Sequence, residues 1–392
     1  MKEKRARSGP SRRAMEITPF LVMDILERAK ELERQGESII HLEIGEPDHD
    51  TPQVVKDAAN RALAAGETQY THSQGLIELR EALSLHYLEK YKVRVKPEQF
   101  IVTSGTSPAM ILIFAGLLDP GDEVVLTDPH YACYPNFLRL VDAVPCYVPV
   151  SEEDGFQLRP EELGPRLTPR TKAIIINSPG NPTGTLIEAG RLARLAELGP
   201  YVVSDEIYHG LVYEGQEHSI LEFTDRALVI NGFSKLYAMT GWRLGYLIAP
   251  EEFIRPMQKL MQNFFISANG FVQRAGIAAL TQTGPEIEQM RATYDARRRF
   301  LIAGLQRLGF RLPVPPTGAF YVFVNARHLS QDSYALAFDI LEKAGVGVAP
   351  GIDFGPGGEG FLRFSYANSM ENLAEALRRL EVYLSDFKGL EK

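Results

Sequence analysis

The 392-residue sequence predicts an α/β fold: a large domain with a mostly parallel sheet flanked by helices, followed by a smaller α+β domain. Three observations carry that expectation. Between about residues 53 and 250, short β-branched runs alternate with helical patterns, the rhythm of βαβ units. After about residue 285 the rhythm changes to a long charged helix, isolated strands and a final amphipathic helix. The composition, 45% hydrophobic and 23% charged, supplies apolar surface for both cores.

Residues 1–13 hold Lys2, Lys4, Arg5, Arg7, Arg12 and Arg13 against Glu3 alone, and residues 1–16 read as a flexible basic arm. The arm lacks the apolar stretch of a secretory signal. Residues 17–48, with an amphipathic helix over 19–34, are expected to pack with the small domain. The large domain then takes 49–285. Its strands are expected at 101–103, 123–127, 173–177, 201–204, 227–231 and 245–248, with helices at 108–118 and 188–198 among them. The small domain takes 286–392, with helices at 286–308, 333–344 and 371–387 and strands at 320–324, 346–349 and 361–366. Gly309 and Gly345 stop the first two of these helices. Arg297, Arg298 and Arg299 read as one solvated helix face.

Several function classes drop out. The longest strictly apolar run, 109–118, is too short to span a membrane, and a net charge of −8 argues against a nucleic-acid binder. Cys133 and Cys146 cannot build a disulfide framework or a zinc site, and the chain reads as cytoplasmic. The eight histidines show no ligand spacing, so no catalytic metal is expected. Gly355, Gly357 and Gly360 match G-x-G-x-x-G, but a strand follows them where a phosphate-binding helix is required; they form a glycine-rich turn.

Sites in such sheets lie beyond the carboxyl ends of the strands. There the segment Gly232-Phe-Ser-Lys-Leu-Tyr-Ala-Met-Thr-Gly-Trp-Arg-Leu-Gly245 places Lys235 just after a buried strand. Burial disfavours a charged amine, and an uncharged lysine is a nucleophile towards an aldehyde. Alone, Lys235 reads as a loop lysine reaching solvent; its neighbours reverse that reading. Asp205 closes the run 201–204, and Tyr208 follows it. Asn177-Ser-Pro-Gly-Asn181-Pro-Thr-Gly184 leaves another strand. Thr103-Ser-Gly-Thr-Ser107 leaves a third and enters a helix, whose free N–H groups form an anion cradle. Arg243 offers a guanidinium to the same anion.

These motifs, in this order from about residue 17 to 385, strongly resemble the fold-type I pyridoxal-phosphate enzymes, specifically the class I aminotransferases. The resemblance implies an aspartate aminotransferase-like fold and pyridoxal 5'-phosphate as cofactor. It implies that Lys235 tethers the cofactor and then moves the proton at Cα, and that Asp205 keeps the ring nitrogen protonated. Tyr208 and Asn181 would bond the ring oxygen, and Tyr131 would stack on the ring face. Gly105, Thr106, Ser107, Ser234 and Arg243 would grip the phosphate, with Gly232 standing where many relatives have another hydroxyl. Tyr70 resembles the tyrosine that reaches the neighbouring subunit's phosphate, which implies a homodimer with shared sites. Arg363 would bind the substrate α-carboxylate, and Gly45 would let the backbone approach it. Phe20, Phe264, Phe265 and Phe320 would line the side-chain pocket. Asp128–Pro129 and Asn181–Pro182 are expected as cis peptides.

The implied activity is ping-pong transfer of an amino group from an L-amino acid to a 2-oxo acid, with 2-oxoglutarate as the expected acceptor. The stretch Gln262-Asn-Phe-Phe-Ile-Ser-Ala268 has no Arg or Lys, which favours a broad or apolar to aromatic donor, with aspartate still open. A C–S β-lyase or other pyridoxal-phosphate carbanion chemistry on the same scaffold is the alternative. A DNA-binding regulator would need a module ahead of the fold, and about 16 residues precede the matching segment.

Overall fold

Residues 9–387 are described by a computed structural model. Among the described residues, twelve strands form three sheets. They are β1 (Ile40–His41), β2 (Phe100–Thr103), β3 (Glu123–Asp128), β4 (Val144–Pro149), β5 (Thr171–Asn177), β6 (Tyr201–Asp205), β7 (Ala227–Gly232), β8 (Gly245–Ile248), β9 (Tyr321–Asn325), β10 (Val346–Gly347), β11 (Ala349–Pro350) and β12 (Phe361–Ser365). The large sheet runs β2-β8-β7-β6-β5-β3-β4, and within it only β8 is antiparallel to its neighbours.

Alternate side chains of the central strands feed two cores, one on each face. Val102, Ile174, Ile176, Val202 and Val229 pack with Val55 of α3 (Gln53–Ala64, the third helix after α1, Arg12–Glu16, and α2, Val22–Arg34) and with Leu79 and Leu83 of α4 (Ile77–Tyr91). Ile101, Ile175, Val203, Leu228 and Ile230 pack on the other face against Leu112 and Ile113 of α5 (Thr106–Leu117) and Met257 of the helix Glu251–Phe264. Each such side chain contributes about 1.5–3 kcal/mol by its burial. Of the large-sheet strands, β4 is the one the sequence pattern does not mark. It is a half-exposed edge carrying Pro145 and Pro149, so neither face presents an apolar run.

In the small domain β11, β12 and β9 form an antiparallel sheet, and β10 pairs in parallel with β1. The N-terminal segment is tied to this domain by Arg28–Glu342 at 3.1 Å and by the Tyr334 hydroxyl donating to Asp24 at 3.0 Å. It is also tied to the large domain. Thr18 exchanges three hydrogen bonds with Asn136 of α6 (Tyr134–Leu140), and Arg13 pairs with Asp142 at 2.7 Å.

Two expectations are corrected here. Part of the supposedly flexible arm, Arg12–Glu16, is a helical turn, because Ser11 caps it by accepting from the Ala14 N–H and Arg13 anchors it; residues 1–8 lie outside the described residues. Nor is the arginine run one solvated face: Arg299 is exposed, but its two neighbours are not. Arg297 is buried and donates to Asp48 at 2.8 Å, while buried Arg298 donates to the Pro316 carbonyl at 2.7 Å and pairs with Asp295 and Glu214. Apart from Asp295, their partners come from distant segments, so periodicity alone could not reveal the burial. The glycines at 355, 357 and 360 do form turns ahead of β12, and the Gly357 N–H donates to Asp128 at 2.7 Å.

Candidate active site

Because β8 runs against its neighbours, its first residue lies level with the last residues of β7 and β2: Gly245 sits opposite both Gly232 and Thr103. The ends of β2, β5, β6 and β7 and the start of β8 therefore face one cavity of about 320 Å³. Both cis peptides anticipated above are present, together with a third at Ser178–Pro179.

Leaving β2, Gly105 adopts φ +91°, and a side chain there would strike the Arg243 guanidinium. Thr106 and Ser107 then open α5, whose first-turn N–H groups receive no side-chain cap. Arg243, itself at φ +55° and braced by donating to the Thr240 carbonyl at 3.0 Å, stands over this uncapped end. An exposed helix N-terminus with a guanidinium beside it is an anion cradle.

Lys235 keeps some surface because its amine faces the cavity, yet protein surrounds it. Burial lowers its pKa to about 8; Arg363 and Arg243 add to this, and Glu46 and Asp205 oppose it. The amine donates to the Gly45 carbonyl at 2.6 Å. Asp205, at the end of β6, is buried, and its pKa is raised to about 6 by that burial. Its carboxylate accepts from the Tyr134 hydroxyl at 2.7 Å and the Ile207 N–H at 3.2 Å. No cation pairs with it among the described residues. The buried Tyr208 hydroxyl meets that of Tyr321 at 2.8 Å, and burial pushes both upward.

Arg363, on β12, lies between the rings of Tyr321 and Phe354, 4.4 and 5.0 Å away. It donates to Asn181 Oδ1 at 2.9 Å and to the Glu43 carbonyl, and its buried Nε has no hydrogen-bond partner among the described residues. Asn181 is held in turn by its N–H on Asn177 Oδ1 at 2.8 Å. Ser234 and Tyr131 also line the cavity, Tyr131 edge-on to Phe20 and Tyr134.

A buried carboxylate lacking a cation, an amine with a pKa of about 8 and an uncapped helix N-terminus beside a guanidinium, all at one sheet edge, fit a small phosphorylated heterocyclic aldehyde. Among the described residues, no cluster of three His, Cys, Asp or Glu side chains suits a metal ion.

A family model described as aminotransferase class I and II matches residues 37–380. The chain belongs to this family. It is 42% identical to the (5-formylfuran-3-yl)methyl phosphate transaminase of Methanocaldococcus jannaschii, over 96% of this chain and 99% of that one. It is 41% identical to the aspartate/prephenate aminotransferase of Thermus thermophilus, over 95% and 97%. The structure of the Thermus thermophilus aspartate aminotransferase with maleate superposes with a TM-score of 0.92 at 40% identity, covering 96% of this chain and 100% of that one. The protein is a pyridoxal-phosphate-dependent transaminase with an aspartate aminotransferase-like fold.

Within this aminotransferase the phenylalanines separate. Phe20 lines the cavity, Phe320 is buried beside it with the Lys235 amine 5.9 Å from its ring, Phe265 packs against the α5 core, and Phe264 is 67% exposed. Phe264 and Phe265 thus stand off the cavity, because the helix Glu251–Phe264 ends before reaching it. Tyr70 is 81% exposed and does not line its own chain's cavity. At Gly45, a Cβ would overlap the Tyr321 hydroxyl, so packing against Tyr321 requires glycine there. Sequence reasoning missed Tyr134, Tyr321 and Asp353. The Asp353 carboxylate accepts from the Leu21 and Val22 N–H groups at 2.8 and 3.2 Å, holding the start of α2, and with it Phe20, over the cavity.

Proposed function

We propose that this aminotransferase moves the amino group of an L-amino acid with an apolar or aromatic side chain to 2-oxoglutarate by a ping-pong sequence. We place it in the cytoplasm, where its two unpaired cysteines suit a reducing setting, as a homodimer. The observation that carries the reading is that Lys235, Asp205 and Arg363 face one cavity.

When bound, pyridoxal phosphate supplies an aldehyde that takes up amines and a heterocycle that draws charge from the amino acid's α-carbon. The N-terminus of α5, with Thr106, Ser107, Ser234 and Arg243, would hold its phosphate. Asp205 would keep a proton on the ring nitrogen, and Tyr134 orients Asp205. Tyr208 and Asn181 would bond the ring oxygen, and Tyr131 would cover the ring. Arg363 fixes the substrate carboxylate. The Lys235 amine, largely uncharged above pH 8, takes the Cα proton and would return it to the carbon of the bound aldehyde group. Phe20 and the start of α2 exclude water.

The two relatives carry names for different substrates, a furan aldehyde phosphate in one and aspartate with prephenate in the other. The donor is therefore argued from this chain's own pocket. Among the described lining residues the cations are Lys235, Arg243 and Arg363, each already committed, whereas Phe20, Val22, Met23 and Leu26 present an apolar wall. A panel of phenylalanine, tyrosine, kynurenine, alanine and aspartate tests this. Aromatic donors are expected to exceed aspartate in kcat/KM by at least about tenfold; preference for aspartate by several orders of magnitude refutes the apolar assignment. With 2-oxoglutarate as acceptor, ammonia should not appear; release of pyruvate and ammonia from a sulfur amino acid would make the protein a C–S β-lyase.

Exposed Tyr70, Phe264 and Ile266 support the dimer. Their segments are joined by the Thr71 N–H on Ser267 Oγ at 3.2 Å and the Thr71 hydroxyl on the Ala268 carbonyl at 3.2 Å, which makes one apolar patch. If Tyr70 serves the partner's site, co-expressed Tyr70→Ala and Lys235→Ala chains should regain activity in hybrids, where one site has both residues intact. Neither homogeneous variant should match that activity, and hybrids as inactive as the parents would place Tyr70 elsewhere.

A further inference from the structure

The side chains of Glu43 and His41 stand behind the site. β1 runs beside β10, with Ile40 opposite Val346 and His41 opposite Gly347. The Leu42 N–H donates to the Gly347 carbonyl at 3.0 Å, and the Ser365 N–H of β12 donates to the Leu42 carbonyl at 2.7 Å. At the next residue the Glu43 side chain folds back onto this ribbon. Its carboxylate is wholly buried. Oε1 lies 2.6 Å from His41 Nδ1, while Oε2 has no hydrogen-bond partner among the described residues. Gly347 leaves room for that carboxylate, which a Cβ there would overlap. The other imidazole nitrogen, Nε2, is 3.1 Å from Glu33 of α2, and Glu33 is paired with Lys30 at 2.8 Å. His41 therefore sits between two carboxylates, and its pKa is raised, first by the hydrogen bond to Glu43.

The backbone of the same residue reaches the site. The Glu43 carbonyl accepts from Arg363, and two residues later the Gly45 carbonyl accepts from the Lys235 amine at 2.6 Å. Residues 43–45 thus bridge the arginine and the lysine of the site. A buried carboxylate with a single hydrogen-bonding side chain depends on that partner; without it, the group takes up a proton or leaves the interior. Leaving would move the carbonyl that holds Arg363.

We propose that His41 and Glu43 are positioning residues, an imidazole–carboxylate pair that pins residues 43–45 and so sets the place of the Arg363 guanidinium for the substrate carboxylate. The proposal rests on the assignment of Arg363 made above. It uses a side-chain pair whose members lie two residues apart on the strand-like ribbon, and it requires His41 to act only as a donor to Glu43.

The test measures, by calorimetry on the cofactor-loaded enzyme, the affinity for 3-phenylpropionate, which has the carboxylate but no amine, together with KM and kcat for an aromatic amino acid. Arg363→Lys is the control: if probe affinity is unchanged in it, the assignment of Arg363 fails and this proposal fails with it. With a responsive control, His41→Phe, which fills the space but cannot donate, should weaken the probe and raise KM by about tenfold, the loss of one charge-assisted hydrogen bond. Its kcat should stay within about threefold and its bound cofactor should be retained. His41→Gln, which still donates to Glu43, should recover most of the loss. Equal affinities in the two variants, or a fall in kcat with KM and probe affinity unchanged, overturn the proposal. If His41→Phe does not fold, His41→Ala against His41→Asn makes the same comparison under the same two criteria.

Discussion

Lys235→Ala should abolish turnover, with a loss of about 10⁴-fold or more, because one residue supplies both the tether and the proton transfer. The change removes an amine whose one hydrogen bond among the described residues is to the Gly45 carbonyl, so the fold should persist. Two measurements separate this from general damage. Borohydride treatment of the parent should fix the cofactor to the peptide containing Lys235, and the variant should gain no such mass. Fixed cofactor in the variant would assign the tether to another lysine. The second measurement is the pH dependence of stability in the cofactor-free protein. The amine's pKa falls from 10.5 to about 8 on folding, so between these values the unfolded chain binds more protons. Stability should then rise as pH increases through that window, by at most about 3 kcal/mol, and the rise should vanish in Lys235→Ala.

Much of this site was legible because its parts sit where short, wholly apolar strands end. β2, β6 and β7 are buried almost throughout, so their runs stand out in the sequence, and the polar residue after each run is conspicuous. Thr103, Asp205 and Lys235 could be found this way. Their convergence could be expected from one parallel sheet, although no pattern showed that β8 runs antiparallel and so brings Arg243 to the same edge.

What remained hidden depends on contacts between distant segments. Tyr134 meets Asp205 across 71 positions, Tyr208 meets Tyr321 across 113, and Asp353 holds the Val22 N–H across 331. An isolated tyrosine or aspartate in a sequence looks the same whether it braces a catalytic group or faces water. The buried arginines show the converse. Arg297 and Arg298 look solvated by composition, and only the folded chain brings Asp48 and the Pro316 carbonyl to them. Local pattern thus reports burial of apolar strands well and pairing of polar groups poorly, since pairing is settled by tertiary geometry.

Asp205→Asn is expected to lower kcat by about 10³-fold, or about 4 kcal/mol of barrier, with the cofactor still bound. Asparagine keeps the shape, and its single oxygen can still accept from the Tyr134 hydroxyl or from the Ile207 N–H, which Asp205 meets with separate oxygens, but it has no charge to stabilise a protonated ring nitrogen. The phosphate cradle and the Lys235 tether lie on other strands, which is why binding should survive while proton abstraction at Cα does not. Unchanged single-turnover rates in Asp205→Asn would remove the residue from this role. A second consequence follows from its burial. In the cofactor-free protein its pKa rises from 3.8 to about 6, so between those values the folded chain binds more protons than the unfolded chain. Stability should fall as pH rises through this window, by about 3 kcal/mol, and Asp205→Asn should flatten that fall. Adding cofactor to the parent should flatten it too, because a cation opposite the carboxylate offsets the cost of burying its charge. A slope that persists in the loaded parent would mean that no cation reaches Asp205, and the electron-withdrawing role assigned to the ring at this site would lose its support.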